Sequence, residues 1–402
     1  MLPHGWSFHT ASELLFGLGV VESLGEKIAR TGARRALVVT DRHLIEAGVC
    51  EPVHASLGMA GLHVDMYDGG QAEPAIALVD ECVAKARAVR PDVLVAVGGG
   101  SNMDLAKAAA VLLAHGGNTR DYVGDDRVPG QGMPVACVPT TSGTGSEVSA
   151  SAVLTDTDNA VKTGMLSNHI RPRWAVVDPK LTLSCPRKVT ADSGIDALTH
   201  AIEAYTAVEL ADFPLPHGER TVYQGRNPMA DLFAEKAIEL AGRHLVRAVE
   251  EPTDLVAREG MSLAATLGGL AFSNSGVALV HALEYPVGGA THCSHGEGNG
   301  LLLPFVMRYN LPARRAKFAR VAALLGADVA GLSETAAAER AIARVEEIRQ
   351  RIGIRPRLRD LGAKREQLPT FAEKALAIHR IVRVNPRVPT LADLVGILEE
   401  AF

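Results

Sequence analysis

No two of the five cysteines stand in a CxxC pair, and their number is odd. This argues against a thiolate metal cluster and against a complete disulfide frame. Buried thiols in a reducing, cytoplasmic setting are the expectation. There is no long basic run and the net charge is −5, so nucleic acid is not expected as the main partner. The opening stretch, MLPHGWSFHTASELLFG, lacks the basic and apolar regions of a signal peptide. One uncharged stretch has membrane length, Met261 to Val280, but three glycines and Ser273, Asn274 and Ser275 interrupt it. A buried helix, a glycine break and a second helix start are expected there, not a membrane span. Internal repeats and low-complexity segments are absent, and so is the dinucleotide fingerprint GxGxxG.

The chain is long enough, at 402 residues, for two domains with substantial cores. The first half alternates strand and helix signals. RRALVVTD (34–41) and GLHVDMYDGG (61–70) read as strands ending in turns. A helical pattern with Pro74 at its start follows, then the apolar run PDVLVAVGGGS (91–101), an alanine-rich helix, and MPVACVPTTSGTGSE (133–147). Such alternation implies a mostly parallel sheet with helices on both faces. From Pro186 onward helical periodicity dominates, as in SETAAAERAIARVEEIRQRIG, with Ile342, Val345, Ile348 and Ile352 on one stripe. The fold expectation is an α/β N-terminal domain with a parallel sheet over 1–186 and an all-α C-terminal domain over 187–402. Between Ala207 and Asn227 a polar, proline-interrupted segment reads as a lid or substrate loop.

Two loops carry nucleotide chemistry. In VLVAVGGGSNMDLAK, an apolar strand runs into Gly98, Gly99, Gly100 and Ser101 and then into a helix containing Asp104. Glycine permits close backbone approach to a pyrophosphate, and a helix N-terminus favours its charge. A tight β–α turn would use the same glycines. In VPTTSGTGSE, Thr140, Thr141, Ser142, Thr144 and Ser146 offer hydroxyls suited to phosphate, ribose or amide contacts. Two such loops after two strands make nucleotide binding the better reading. Asp41 ends the strand ALVVTD, where an acid can hydrogen-bond a ribose 2′-hydroxyl and repel a 2′-phosphate; NAD is favoured over NADP.

The helical segment DSGIDALTHAIEAY puts Asp196 and His200 four residues apart, hence on one face. Alone the pair is as consistent with an internal hydrogen bond as with half of a metal site. Downstream, GVALVHALEYPVGGATHCSHGEGNG holds His281 and, after a helix-breaking YPVGG, His292 and His295. One carboxylate and three imidazoles suit a divalent transition metal and leave room for a substrate oxygen.

The motifs GGGSNMDLAK, VPTTSGTGSE, VVDP, SGIDALTHAIEAY and SNSGVALVHALEYPVGG…SHG resemble, in order and spacing, those of the iron-containing (group III) alcohol dehydrogenases. The resemblance runs from about Asp41 to about Asn310. It implies a dehydroquinate synthase-like fold with an N-terminal dinucleotide domain, a helical domain and a cleft between them. It implies Fe²⁺, or Zn²⁺ in some members, on Asp196, His200, His281 and His295, the last preferred over His292. It further implies NAD(P) contacts at Asp41, Gly99, Gly100, Ser101, Thr140, Thr141, Val153 and Lys162. The expected reaction is reversible hydride transfer between the nicotinamide and a small alcohol or hydroxy acid, in a homo-oligomer of two or more chains.

Two positions depart from the family pattern. Tyr285 stands where many members have a proton-relay histidine, and a tyrosine of ordinary pKa near ~10 is a poorer shuttle. Glu73-Pro74 replaces the common Asn-Pro. Both departures, and YQGRNP at 223–228, are similar to the hydroxyacid–oxoacid transhydrogenase branch, in which Arg226 or Arg220 would bind a substrate carboxylate. An NAD- and metal-dependent lyase of dehydroquinate synthase type is a rival of another class; it would need clustered basic residues around a phosphorylated substrate, and SNSGVALVHALEYPVGG is mostly small and apolar.

Overall fold

The computed structural model describes residues 5–158 and 161–402. The first four residues of the opening stretch lie outside it. The chain forms two compact units. One comprises His9–Cys185 with Arg220–Val222, the other residues 5–8, Pro186–Glu219 and Tyr223–Phe402.

The first unit is built on nine strands among the described residues: β1 (Glu13–Phe16), β2 (Arg35–Val39), β3 (His63–Tyr67), β4 (Val93–Gly98), β5 (Gly124–Asp125), β6 (Val135–Pro139), β7 (Ser151–Asp156), β8 (Val161–Leu166) and β9 (Trp174–Val177). Six form a wholly parallel sheet in the order β1-β9-β6-β4-β2-β3. Strands β4 and β6 are buried along their whole length, as their unbroken apolar runs require when helices cover both faces. Successive side chains alternate between the two layers. Leu37, Val39, Leu94 and Ala96 pack with α4 (Ile76–Val89) and α5 (Gly100–His115). Ala36, Val38, Val93, Val95 and Val97 pack with α1 (Leu24–Ala29) and α3 (Glu51–Met59), which flank the short α2 (Arg42–Glu46).

Pro74 lies two residues before α4, and its carbonyl accepts the Thr155 N–H at 2.8 Å. It therefore tethers the chain ahead of the helix and does not form its first turn. The edge strand β1 is only four residues long, and the smaller sheet β5-β8-β7 is built from a two-residue strand and two strands that mix polar with apolar residues, so neither stands out in sequence.

No strand follows Val177 among the described residues. The second unit consists of α6 (Arg187–Thr206), α7 (Pro228–Glu250), α8 (Leu255–Ser275), α9 (Leu279–Thr291), α10 (His295–Leu324), α11 (Glu334–Arg351) and shorter C-terminal helices. Starts are set by side-chain caps: Asn227 accepts from the Ala230 N–H at 3.0 Å, Asp254 from Ala257 at 3.0 Å and Ser333 from Ala336 at 3.2 Å. The uncharged stretch Met261–Val280 divides as its glycines suggest. Gly276, at φ +122°, separates α8 from α9, and the two axes bend by 104°. A β-carbon at Gly276 would lie 2.8 Å from Val384, so a side chain there is excluded twice over. Among the described residues no single helix is long and apolar enough to cross a membrane.

Candidate metal centre and nucleotide loops

In the parallel sheet the chain runs from β2 to β3 on one side and returns to β4 on the other. Such a reversal leaves a crevice at the carboxyl ends of the strands, where ligands of α/β folds bind. Asp41 follows β2 at this point, Gly98 ends β4 with Gly99–Ser101 after it, and Thr140 and Thr141 follow β6. Asp41 Oδ1 caps α2 through the Leu44 N–H (3.1 Å), while its Oδ2 accepts from Asn102 Nδ2 (2.8 Å). Asn102, buried, also donates to the Val97 carbonyl at 3.1 Å. The acid after β2 is thus held against the glycine loop after β4. Arg42 pairs with Asp68 at 3.2 Å.

Gly99 caps α5, leaving the first N–H groups of a 16-residue helix at the crevice. Gly100 lies so close to the second loop that a β-carbon would come within 2.7 Å of the Thr144 methyl. Asp104 and Lys107 hold that second loop in place. Ser146 Oγ donates to Asp104 Oδ1 (2.6 Å), and the Val153 N–H donates to Oδ2 (2.9 Å). Lys107, fully enclosed, donates to Ser146 Oγ (2.7 Å) and to the Ser151 carbonyl (3.0 Å). Burial pushes the Lys107 ammonium below its ordinary pKa, against the opposing pull of Asp104. Asp104 thus braces the second loop through Ser146 and Val153. Lys162 forms an ion pair with Glu73 at 2.8 Å, and the Glu73 N–H donates to Ser101 Oγ at 3.2 Å.

In the helical unit, Asp196 (α6), His281 (α9) and His295 (first residue of α10) bring one donor atom each within 4.8 Å of one another. Asn299, one turn beyond His295, donates from Nδ2 to Asp196 Oδ1 (2.8 Å) and lies 3.2 and 3.1 Å from Nε2 of His281 and His295. A small electropositive group thus sits among three converging lone pairs, so the residues fit a divalent cation. His200, the fourth expected ligand, lies beside this group. Its ring stacks on His281 at 4.8 Å and on Phe272 at 4.3 Å, with Nδ1 3.8 Å from Asp196 Oδ2. Burial raises the Asp196 carboxyl, but His200, His295, His281 and the Asn299 amide outweigh it and hold it below its ordinary pKa.

Two carboxylates that the sequence reading passed over complete the group. Glu203 Oε2 meets His281 Nδ1 at 2.6 Å, and the carboxylate accepts the Ala278 (3.0 Å) and Val280 (2.7 Å) N–H groups at the start of α9. Glu284 Oε2 meets His295 Nδ1. Both lie three residues after a histidine on the same helix, a spacing visible in THAIEAY and HALEY. The start of α10 is pinned to α6. Ser294 donates to Asp192 (2.5 Å), and Lys188 bridges Asp192 (2.6 Å) and Glu297 (3.0 Å).

Tyr285 is half-buried, its ring centre 6.0 Å from that of His295. Arg226 is held by Glu209 and Asp231, which neutralise it in place, so it is not poised for a substrate carboxylate. Arg220 is 80% exposed and 3.8 Å from Asp126. Both ends of the 207–227 segment are tied down: Val208 donates to Val384 (2.8 Å) and Gly225 to Ser275 (2.9 Å).

Comparison with known proteins matches residues 11–179 to the iron-containing alcohol dehydrogenase model and 217–402 to the C-terminal model of Fe-containing alcohol dehydrogenases. The chain belongs to the iron-containing alcohol dehydrogenase family. It is 38% identical to an NAD-dependent methanol dehydrogenase of Bacillus methanolicus, over 96% of this chain and 97% of the relative. It is 37% identical to a 1,3-propanediol dehydrogenase of Klebsiella pneumoniae, over 96% of each. Among solved structures, a 1,3-propanediol oxidoreductase superposes with a TM-score of 0.93 at 36% identity, over 99% of this chain and 100% of that one. An alcohol dehydrogenase from Oenococcus oeni gives 0.92 at 32% identity, over the same shares. As an iron-containing alcohol dehydrogenase the protein is a nicotinamide-dependent oxidoreductase that interconverts alcohols and carbonyl compounds.

Proposed function

We propose that this protein reversibly oxidises a small primary alcohol or diol to the aldehyde with NAD and Fe²⁺, Zn²⁺ being the alternative ion. The observation that carries the reading is the convergence of Asp196, His281 and His295 on one point, with each histidine's other nitrogen already taken by a carboxylate. That leaves both Nε2 lone pairs for a cation. His200, stacked on His281 and 3.8 Å from Asp196, would be the fourth ligand. When bound, the ion would supply Lewis acidity that makes the alcohol hydroxyl easier to deprotonate, and the negative charge so developed on oxygen would favour departure of the hydride.

The chain's own residues do the rest. Gly98, Gly99, Gly100 and Ser101 cradle the pyrophosphate at the N-terminus of α5, and Thr140, Thr141 and Thr144 orient the nicotinamide half. Val153 and Lys162 line the same cofactor, and Asp104 keeps their loop in register. Asp41 accepts a ribose 2′-hydroxyl. Its fixed carboxylate and the pairing of Arg42 with Asp68 support NAD over NADP. Tyr285 supplies a hydroxyl beside His295 for proton exchange with water. The neutralised Arg226 weighs against the hydroxyacid–oxoacid transhydrogenase reading. The reading includes a cytoplasmic protein that acts on small molecules, not on nucleic acid or membranes. It also includes self-association, which the open edge strand β1 supports.

The test is a panel of simple alcohols, diols, 4-hydroxybutyrate and their carbonyl partners, run with NAD and NADP, with and without chelator. A chelator-sensitive change at the nicotinamide absorbance band is expected with small alcohols and NAD. No metal-dependent change with any substrate refutes the reading. His281→Ala should lose the metal; a full complement in that variant refutes the ligand assignment.

A further inference from the structure

We infer that Glu284 is the positioning residue for His295, and that it sets how tightly the centre holds its ion. The inference rests on the metal-site reading above and extends it to a residue outside the ligand set.

Glu284 is fully buried, on the turn of α9 after His281, and its Oε2 faces His295 Nδ1. A carboxylate enclosed in protein is costly unless hydrogen-bonded and balanced by charge. Here the Nδ1–H of His295 provides the bond. Donation from Nδ1 fixes the tautomer, so the lone pair stands on Nε2, the atom that faces Asp196 Oδ1 at 4.0 Å. It also fixes the angle of a ring that is otherwise the least enclosed of the three, its side chain 31% exposed against 3% for His281. His281 has the same arrangement with Glu203, where two backbone N–H groups hold the carboxylate as well.

The surrounding chain is shaped to admit Glu284. Gly298, on the first turn of α10, leaves no room for a side chain. A β-carbon there would lie 2.7 Å from Glu284 Cγ and 3.3 Å from Oε1. Glu284 and the glycine of SHGEGNG are therefore one packing solution, a large side chain on α9 opposite none on α10. Together Asp196, Glu203 and Glu284 place three buried carboxylates around the converging histidines. A divalent cation at their centre offsets this charge.

The test uses the full-length protein stripped of metal, with Zn²⁺ as the probe in competition with a chromophoric chelator. Glu284→Met keeps the volume and removes the acceptor; Glu284→Gln keeps an acceptor oxygen for Nδ1–H. Loss of an outer hydrogen-bond partner of a metal-bound histidine costs on the order of 10–100-fold in affinity. Glu284→Met should weaken Zn²⁺ binding by that factor, while the melting temperature of its metal-free form stays near wild type. Glu284→Gln should restore most of the affinity. Wild-type affinity in Glu284→Met overturns the inference, and so does equal weakening in both variants. If Glu284→Met does not fold, wild-type and Glu284→Gln proteins are compared, and a Gln variant weakened by the full factor overturns it. A wild-type protein that takes up no stoichiometric Zn²⁺ refutes the metal-site reading itself, a separate result.

Discussion

Replacing Lys107 by methionine tests how the two nucleotide loops are held together. The lysine is fully enclosed, donates to Ser146 Oγ at 2.7 Å and to the Ser151 carbonyl at 3.0 Å, and lies 3.9 Å from the Asp104 carboxylate. Methionine fills a similar volume, so the cavity contribution is small. The loss is electrostatic. The Asp104 carboxylate loses the ammonium 3.9 Å away, and the Ser149 and Ser151 carbonyls lose a donor. Breaking a buried charge pair by removing one partner costs roughly 3–5 kcal/mol. For a unit of this size each kcal/mol lowers the melting temperature by about 2–4 °C, so a fall of roughly 6–20 °C is expected. The Thr140–Ser151 loop loses its brace as well, and the Kd for NADH should rise more than about tenfold, equivalent to ~1.4 kcal/mol. Thermal melts and NADH fluorescence titration measure the two effects. The double variant Lys107→Met/Asp104→Asn removes both charges and should melt above Lys107→Met alone, because neighbours in one network couple by about 0.5–3 kcal/mol. Lys107→Met melting within 2 °C of wild type, with unchanged NADH affinity, would refute the reasoning.

Three further outcomes follow from the same geometry. Asn102→Ala frees Asp41 from its 2.8 Å partner, so the ratio of KM for NADPH to KM for NADH should fall; an unchanged ratio separates Asn102 from cofactor choice. Burial pushes the Cys82 and Cys137 thiols up to about 12, with Lys107 partly opposing this at Cys137. At pH 8 both are then protonated and enclosed, so a thiol reagent should react first at the half-exposed Cys185 and reach all five cysteines only on unfolding; rapid native labelling of Cys82 or Cys137 would contradict this. Arg226→Ala should lower stability while leaving the preference between hydroxy acids and uncharged alcohols within about threefold, under ~1 kcal/mol; a selective loss on hydroxy acids would restore the carboxylate-binding role.

Much of the architecture was legible because it rests on local pattern. The unbroken apolar runs of β4 and β6, the glycine turn into α5 and the stripe of α11 each announce an element by composition alone. Edge strand β1 and the β7–β8 hairpin were not legible. Their stability comes from pairing and from Asp104 at the Val153 N–H, and neither is a property of the segment itself. The positions of the three converging donors, Asp196, His281 and His295, could be read from spacing and from resemblance. Their supports could not, since Glu203 and Glu284 look like ordinary helix acids until α9 turns back at Gly276. Lys107 looked like the end of a motif and proved to be the pin between two loops. Arg226 looked available until Glu209 and Asp231 were found beside it.

The three converging donors come from α6, α9 and α10, so an ion held there ties three helices of one unit at a single point. A ligand that binds only the folded state adds RT ln(1 + [L]/Kd) to stability, about 4 kcal/mol at a thousand times Kd. The break at Gly276 is what makes the tie long-range, because it swings His281 back toward a helix that began at Arg187. Metal supply would then govern how long the chain resists proteolysis, and not only how fast it turns over.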